Sequence, residues 1–443
     1  MDLLAQSVKK LYFRYFAAAF GSACITCVYG IVDMAMVGQY EGPSGTAAIT
    51  VVMPIFNVIY SLGLLAGIGG SVLYSAARGG GSGKAAQNEW FTTACILGAA
   101  FSLLVWVALF CFEDALLTLF GANSDLLPLA KLYMGPVRLA APFFLASQLL
   151  AAFLRNDGAP GLATLAVCLA GVFNMVGDYV LIFKCDMGIL GAGVATALGG
   201  VISVAVMASR FFSRANSLCL GRVSGFPRKA FQTLSTGFST FFTDLSLGIV
   251  TMLFNRQIMA YFGTSALAVF GVLMSVHTFV QCCGYSAGQA AQPILSTNFG
   301  AGKLDRITGT MRYALATSLV FGLVWTALTL GVPTVFVRLF MQPTAEVLAI
   351  SPGIMRAYGP AFFFMPFNVL ATYYFQAVMK PGVSFAISAG RGLVLSGILI
   401  MALPAAFGAT ALWLAMPLAE ALIFAYAVFE MAKGAKLRPA GTL

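Results

Sequence analysis

Between Tyr12 and Met36 the chain reads YFRYFAAAFGSACITCVYGIVDMAM, a run whose only charges are Arg14 and Asp33. About 20 apolar residues, rising 1.5 Å each, cross the ~30 Å hydrocarbon layer of a bilayer as a helix. Runs of this kind recur to the end of the chain, at about 12–38, 46–76, 90–112, 128–153, 161–183, 189–212, 232–258, 264–295, 309–332, 352–378, 384–407 and 410–431. In lipid every backbone N–H and C=O must find a partner within the protein, so the runs predict an all-α polytopic membrane protein of twelve transmembrane helices. Strands of a membrane barrel would be alternating segments of ~10 residues, which these are not. With 60% hydrophobic residues, 9% charged residues and a mean hydropathy of +0.91, water-soluble domains are excluded. The first run is too long, and lacks the A-x-A-like end, for a cleavable leader.

The net charge of +10 reflects topology rather than a nucleic-acid face. With the N-terminus inside, 18 of the 25 Lys and Arg fall in cytoplasmic segments, the largest group being Arg210, Arg214, Arg222, Arg228 and Lys229. The positive-inside rule therefore predicts a multi-pass protein of the bacterial cytoplasmic membrane with both termini cytoplasmic. Most of the nine cysteines lie within runs and show no disulfide framework; Cys185 falls in a predicted outer loop.

Residues 44–84 align with 263–303 without a gap, and further on Arg138, Pro142 and APG at 159–161 match Arg356, Pro360 and KPG at 380–382. The chain is a tandem repeat: an N-terminal six-helix lobe over 1–212, a cytoplasmic linker over 213–231, and a C-terminal six-helix lobe over 232–443. An even number of spans per repeat gives both copies the same orientation, related by an axis along the membrane normal. Such pseudo-symmetric lobes leave a midplane cleft and permit rocking access from either side, which reads as a transporter. The loops GGGSGK and GAGK lack the strand and the [ST] of a phosphate loop. With no nucleotide site, the driving energy must come from an ion gradient. One histidine and no H-E-x-x-H motif argue against an intramembrane enzyme.

Asp33 is costly at the bilayer centre, roughly 2.5 to 3.5 kcal/mol, and is thereby a functional candidate. GIVDM at 30–34 corresponds to GIVTM at 248–252, so the second repeat folds with Thr251 in its place, and it carries Ile398 near the position matching Asp178. Only one lobe keeps the acids.

VDMAMVG after the first span, RNDGAP at 155–160, FNMVGDYVLI at 173–182, GAGVAT at 191–196 and GQAAQPILSTNFGAGK at 288–303 resemble the multidrug and toxic compound extrusion (MATE) transporters, especially the DinF-like and MepA-like bacterial branches. The resemblance covers essentially the whole chain. It implies a cation or proton site in the N-terminal lobe at Asp33, Asn174, Asp178 and Thr196. The chemistry of the residues agrees: Asn174 and Asp178 share a helix face at i and i+4, and two carboxylates, an amide oxygen and a hydroxyl suit Na⁺, with no other metal expected, or a shared proton. Many members carry a proline early in the first helix, whereas this first span has none, so a bend there must come from Gly21 or Gly30.

The substrate-cavity candidates are Met53, Asn57, Tyr60, His277, Gln281 and Asp244, the last read as an unpaired acid; aromatic and Met side chains suit promiscuous capture of organic cations. Arg391 and Glu420 are expected to neutralise one another. The resulting expectation is a monomeric antiporter that needs no cofactor and exports amphipathic, often cationic, small organic molecules in exchange for H⁺ or Na⁺. Its partners are its substrates and the lipid bilayer, with no nucleic acid. The alternative is a flippase for lipid-linked precursors or polysaccharide, which would need a basic cavity for a pyrophosphate.

Overall fold

The structure, a computed structural model, describes residues 3–122, 124, 126–340 and 343–433. Among these there are helices and no strand. The spans are α1 (Val8–Gly42), α2 (Ser44–Gly79), α3 (Lys84–Leu119), α4 (Leu127–Asn156), α5 (Pro160–Lys184), α6 (Gly188–Phe212), α7 (Phe226–Tyr261), α8 (Thr264–Gly300), α9 (Leu304–Gly331), α10 in two pieces (Ala345–Tyr358 and Ala361–Ala377), α11 (Pro381–Phe407) and α12 (Ala409–Lys433). Each contains the core of one predicted run.

The breaks follow local chemistry. α1 and α2 meet at Gly42, whose φ of 69° lies where side chains with a Cβ are disfavoured. Ahead of Gly42, no described residue of α1 leaves helical geometry, so Gly21 and Gly30 do not break the first helix. The repeat-related prolines behave differently. Pro142 leaves α4 continuous, whereas α10 bends by 41° at Gly359–Pro360. Proline removes the same backbone donor in both repeats, but Ala141 precedes Pro142, and glycine before Pro360 weakens the helix by about a further 1 kcal/mol.

Two compact units are present. One runs from Ala17 to Phe241; the other joins Gln6–Phe16 to the chain from Phe242 onward. The start of α1 thus belongs with the second unit, where Tyr12 stacks on Tyr313 at 6.3 Å and Arg306 donates to the Gln6 carbonyl at 2.7 Å. α7 already begins at Phe226, five residues or so before its apolar run, and its first half packs on α2 in the first unit. A Cβ on Gly237 would lie 2.0 Å from the Leu65 carbonyl oxygen, and one on Gly69 would lie 2.0 Å from that of Thr233.

The segment between α6 and α7 lies along the first unit as a strap. Asn88 donates to the Ser217 carbonyl and accepts from the Cys219 amide, each at 3.0 Å; Thr92 accepts from the Gly221 amide at 3.0 Å. Glu89 accepts from the Ser224 amide and pairs with Lys229. Arg210 clamps the buried Asp157 of the RNDGAP motif through Nε at 3.0 Å and Nη2 at 2.7 Å. On the outer side of α3, Leu103 and Leu104 are each 62% exposed, a side chain pattern suited to lipid.

Candidate functional site

In the first unit α1, α4, α5 and α6 bring Asp33, Tyr133, Asn174, Asp178 and Thr196 toward one place. Tyr133 on α4 donates its hydroxyl proton to Asp33 Oδ2 on α1 at 3.2 Å, and its oxygen lies 3.3 Å from Thr196 Oγ1 on α6. Asn174 on α5 donates from Nδ2 to Thr196 Oγ1 at 3.2 Å. Because the Tyr133 proton is committed to the carboxylate, Thr196 donates to Tyr133, and the three hydrogen bonds run in one direction toward Asp33. Asp178, one turn beyond Asn174, is fully buried and within electrostatic range of Asp33. Four buried oxygens here have no hydrogen-bond partner: Asp33 Oδ1, Asn174 Oδ1 and both carboxylate oxygens of Asp178. A buried, unsatisfied carboxylate oxygen costs far more than an unsatisfied amide, so this set is suited to a proton or a hard monovalent cation.

Glycine makes the approach possible. In GAGVAT, a Cβ on Gly193 would lie 2.4 Å from the Tyr133 carbonyl oxygen and one on Gly191 would lie 2.9 Å from the Leu181 backbone. α6 therefore contacts α4 and α5 backbone to backbone, and Thr196, nearly one turn beyond Gly193, reaches both Tyr133 and Asn174. Tyr133 is the member of this cluster that sequence reasoning missed. Its ring packs edge-on to Phe56 at 6.3 Å, as an ordinary core aromatic would, and only its hydroxyl marks it.

A cavity of about 300 Å³ adjoins the cluster, lined by Asp33, Asn174 and Thr196 and by the α2 candidates Met53, Asn57 and Tyr60. Asp178 stands outside the lining. Among the described residues, no lysine or arginine lines this cavity.

The other three candidates lie in the second unit. Asp244 on α7 departs from the expectation of an unpaired acid: Tyr285 on α8 donates to its Oδ1 at 2.8 Å. His277 and Gln281 line a separate pocket of about 30 Å³ together with Tyr358, Arg391 and Glu420. Arg391 and Glu420 form the expected pair, Nη2 to Oε1 at 2.8 Å and Nε to Oε1 at 3.1 Å, both almost wholly buried, with Asn368 Nδ2 on Oε2 at 2.6 Å.

These features define a class: a duplicated, helical membrane transporter with a polar cluster in one repeat. A family model described as MatE matches residues 18–180 and 239–420, and the chain belongs to that family, whose members are transporters rather than enzymes. Among curated relatives, the multidrug export protein MepA of Staphylococcus aureus (strain MSSA476) is 24% identical over 282 residues, 63% of this chain and 62% of that protein. The chain thus spans less than two thirds of the first relatives it matches. MepA of Staphylococcus aureus (strain bovine RF122 / ET3-1) is 22% identical over 90% of this chain and 88% of that protein. Among solved structures, an outward-facing multidrug resistance MATE family transporter of the MOP superfamily superposes with a TM-score of 0.90 at 19% identity, covering 98% of each chain. A MOP superfamily transporter from Pyrococcus furiosus, described as having a binding pocket of reversed polarity, gives 0.86 at 20% identity over 97% of each chain. At these identities the likeness establishes the fold.

Proposed function

We propose that the chain is a secondary antiporter of the bacterial cytoplasmic membrane, with both termini cytoplasmic, that exports amphipathic or cationic organic compounds in exchange for H⁺ or Na⁺ by alternating access. The observation that carries the reading is the set of four buried, partnerless oxygens on Asp33, Asn174 and Asp178 beside the 300 Å³ cavity. Asp33 would take the cation or proton at Oδ1 while Tyr133 holds Oδ2. Asn174 and Asp178 would complete an oxygen set, and Thr196 would fix the Asn174 amide so that Oδ1 faces inward. Two acids that lie within electrostatic range cannot both stay charged and unpartnered without cost, so loading one cation or proton relieves the pair. Met53, Asn57 and Tyr60 supply soft, aromatic and amide surface for the exported molecule. The lipid-linked precursor alternative finds no support in the cavity, which offers no basic side chain to a pyrophosphate.

The test is transport of a fluorescent organic cation in proteoliposomes with an imposed Na⁺ gradient, an imposed H⁺ gradient, or neither. Accumulation with one gradient and none without supports the antiporter. Equal fluxes in all three would overturn it.

A further inference from the structure

The second unit carries a hydrogen-bond chain that the N-terminal cluster does not use. On α8, His277, Gln281 and Tyr285 stand at i, i+4 and i+8 and share one face. Tyr285 donates to Asp244 Oδ1 at 2.8 Å, and Gln281 donates from Nε2 to the Tyr285 oxygen at 2.7 Å. His277 Nε2 lies 3.2 Å from Gln281 Oε1, and His277 Nδ1 lies 3.1 Å from the Tyr358 hydroxyl. An amide oxygen carries no proton, so Nε2 must be the donor in that contact; a neutral ring then accepts at Nδ1 from Tyr358. A second cation in this pocket is opposed by the Arg391 guanidinium that shares it. All four hydrogen bonds therefore point from Tyr358 toward Asp244. The far end is sealed, His277 being 3% and Tyr358 1% exposed, whereas Asp244 is only half-buried and is the less enclosed end of the chain.

We propose that Asp244 is a proton-accepting site of the second unit, and that its loading reverses this chain and switches His277 from its Nε2–H to its Nδ1–H tautomer. A proton from solvent makes the carboxyl a donor to the Tyr285 oxygen. The Tyr285 hydroxyl then turns to Gln281, whose amide must flip to present Oε1. The flipped amide offers N–H to His277 Nε2, which can accept only if its own proton has left. The 30 Å³ pocket beside the ring has room for a water, which takes the Nε2 proton and returns one to Nδ1. One proton enters at Asp244, none leaves, and the imidazole stays neutral. Nδ1–H now donates to Tyr358, freeing its hydroxyl proton to turn within a pocket that also holds Glu420. Among the described residues, the ionisable groups beside the chain include Arg391 and Glu420, which form their own ion pair, and Tyr373, whose ring packs edge-on to Tyr285 at 6.2 Å. The proposal is independent of the Asp33 site.

His277 is the only histidine in the sequence, so ¹⁵N-histidine labelling of the full chain in lipid gives one imidazole to read by nuclear magnetic resonance. Titrated with acid, the wild type is expected to change from Nε2–H to Nδ1–H without becoming an imidazolium. Asp244→Asn and Tyr285→Phe are each expected to hold one tautomer at every pH, and Asp33→Asn to switch as the wild type does. A wild-type ring that keeps Nε2–H throughout, or that goes directly to imidazolium, overturns the proposal. So does a switch that persists in both Asp244→Asn and Tyr285→Phe.

Discussion

Gly193→Ala offers a direct perturbation of the N-terminal site. A Cβ there would sit 2.4 Å from the Tyr133 carbonyl oxygen and 3.2 Å from its Cα, whereas ordinary contact begins at 3.4 Å. Backbone cannot yield as a flexible side chain can, so α6 and α4 must separate by about 1 Å. The contact of Thr196 with Tyr133 at 3.3 Å would then exceed hydrogen-bonding reach. One lost hydrogen bond of ~1 kcal/mol, with overpacking of 1 to 3 kcal/mol, amounts to a destabilisation of roughly 2 to 4 kcal/mol. Gly199→Ala, on the same helix, is the control, because its Cβ would meet the Ala170 carbonyl oxygen at 3.4 Å and Asn174 Cβ at 3.9 Å. Alanine in place of glycine in a helix gains up to about 1 kcal/mol, so that variant should be neutral or slightly stabilised. Unfolding by SDS titration in mixed micelles measures both, with gradient-driven uptake read in parallel. Equal stability and uptake of the two variants would refute the reasoning.

Three further outcomes follow from the geometry. Arg391→Met leaves the Glu420 carboxylate buried without its bidentate partner and should cost about 3 to 5 kcal/mol, while Arg391→Met with Glu420→Leu should recover most of it; the same micelle titration checks both, and a harmless single variant would contradict it. Gly69→Ala drives a Cβ to 2.0 Å from the Thr233 carbonyl oxygen, so it should lower the yield of monodisperse protein, read by size-exclusion chromatography, far more than Gly30→Ala, whose Cβ meets nothing within 4 Å. Cys185, exposed beyond α5, should react with an impermeant maleimide in intact cells when the other cysteines are replaced; reaction only after permeabilisation would reverse the topology.

The helices were legible because lipid leaves a chain few options: each apolar run contains the core of one span, and even the break in α10 sits at the proline that the repeat alignment marks. Asp33 stood out because an acid is expensive among apolar residues, whereas Asn174, Asp178 and Thr196 came from the family resemblance. Tyr133 did not, since a tyrosine in an apolar run looks like any core aromatic until its hydroxyl is placed between two helices. The strap was read as a linker because its anchors, Asn88, Glu89 and Thr92, are ordinary polar residues near a helix start, and their partners are backbone groups of a distant segment. The grouping of Gln6–Phe16 with the second unit is likewise a long-range matter, carried by rings such as Tyr12 and Tyr313. Of the Asp244 chain, the sequence marked His277, Gln281 and Asp244 as separate cavity candidates and passed over Tyr285, which links them. The link was hidden because α7 and α8 are brought together only in the fold.

The most direct test of cation coupling at the N-terminal cluster is gradient-driven substrate accumulation in proteoliposomes by Asp33→Asn, with substrate binding measured on the same preparation. The expected result is binding retained and accumulation abolished, because Thr251 occupies the corresponding position in the second repeat and a neutral residue there is compatible with the fold. Asp33→Asn with Asp178→Asn should be no worse than either single variant, since two acids that share one ion act as a unit. Full accumulation by Asp33→Asn under the same gradient would contradict coupling at this site.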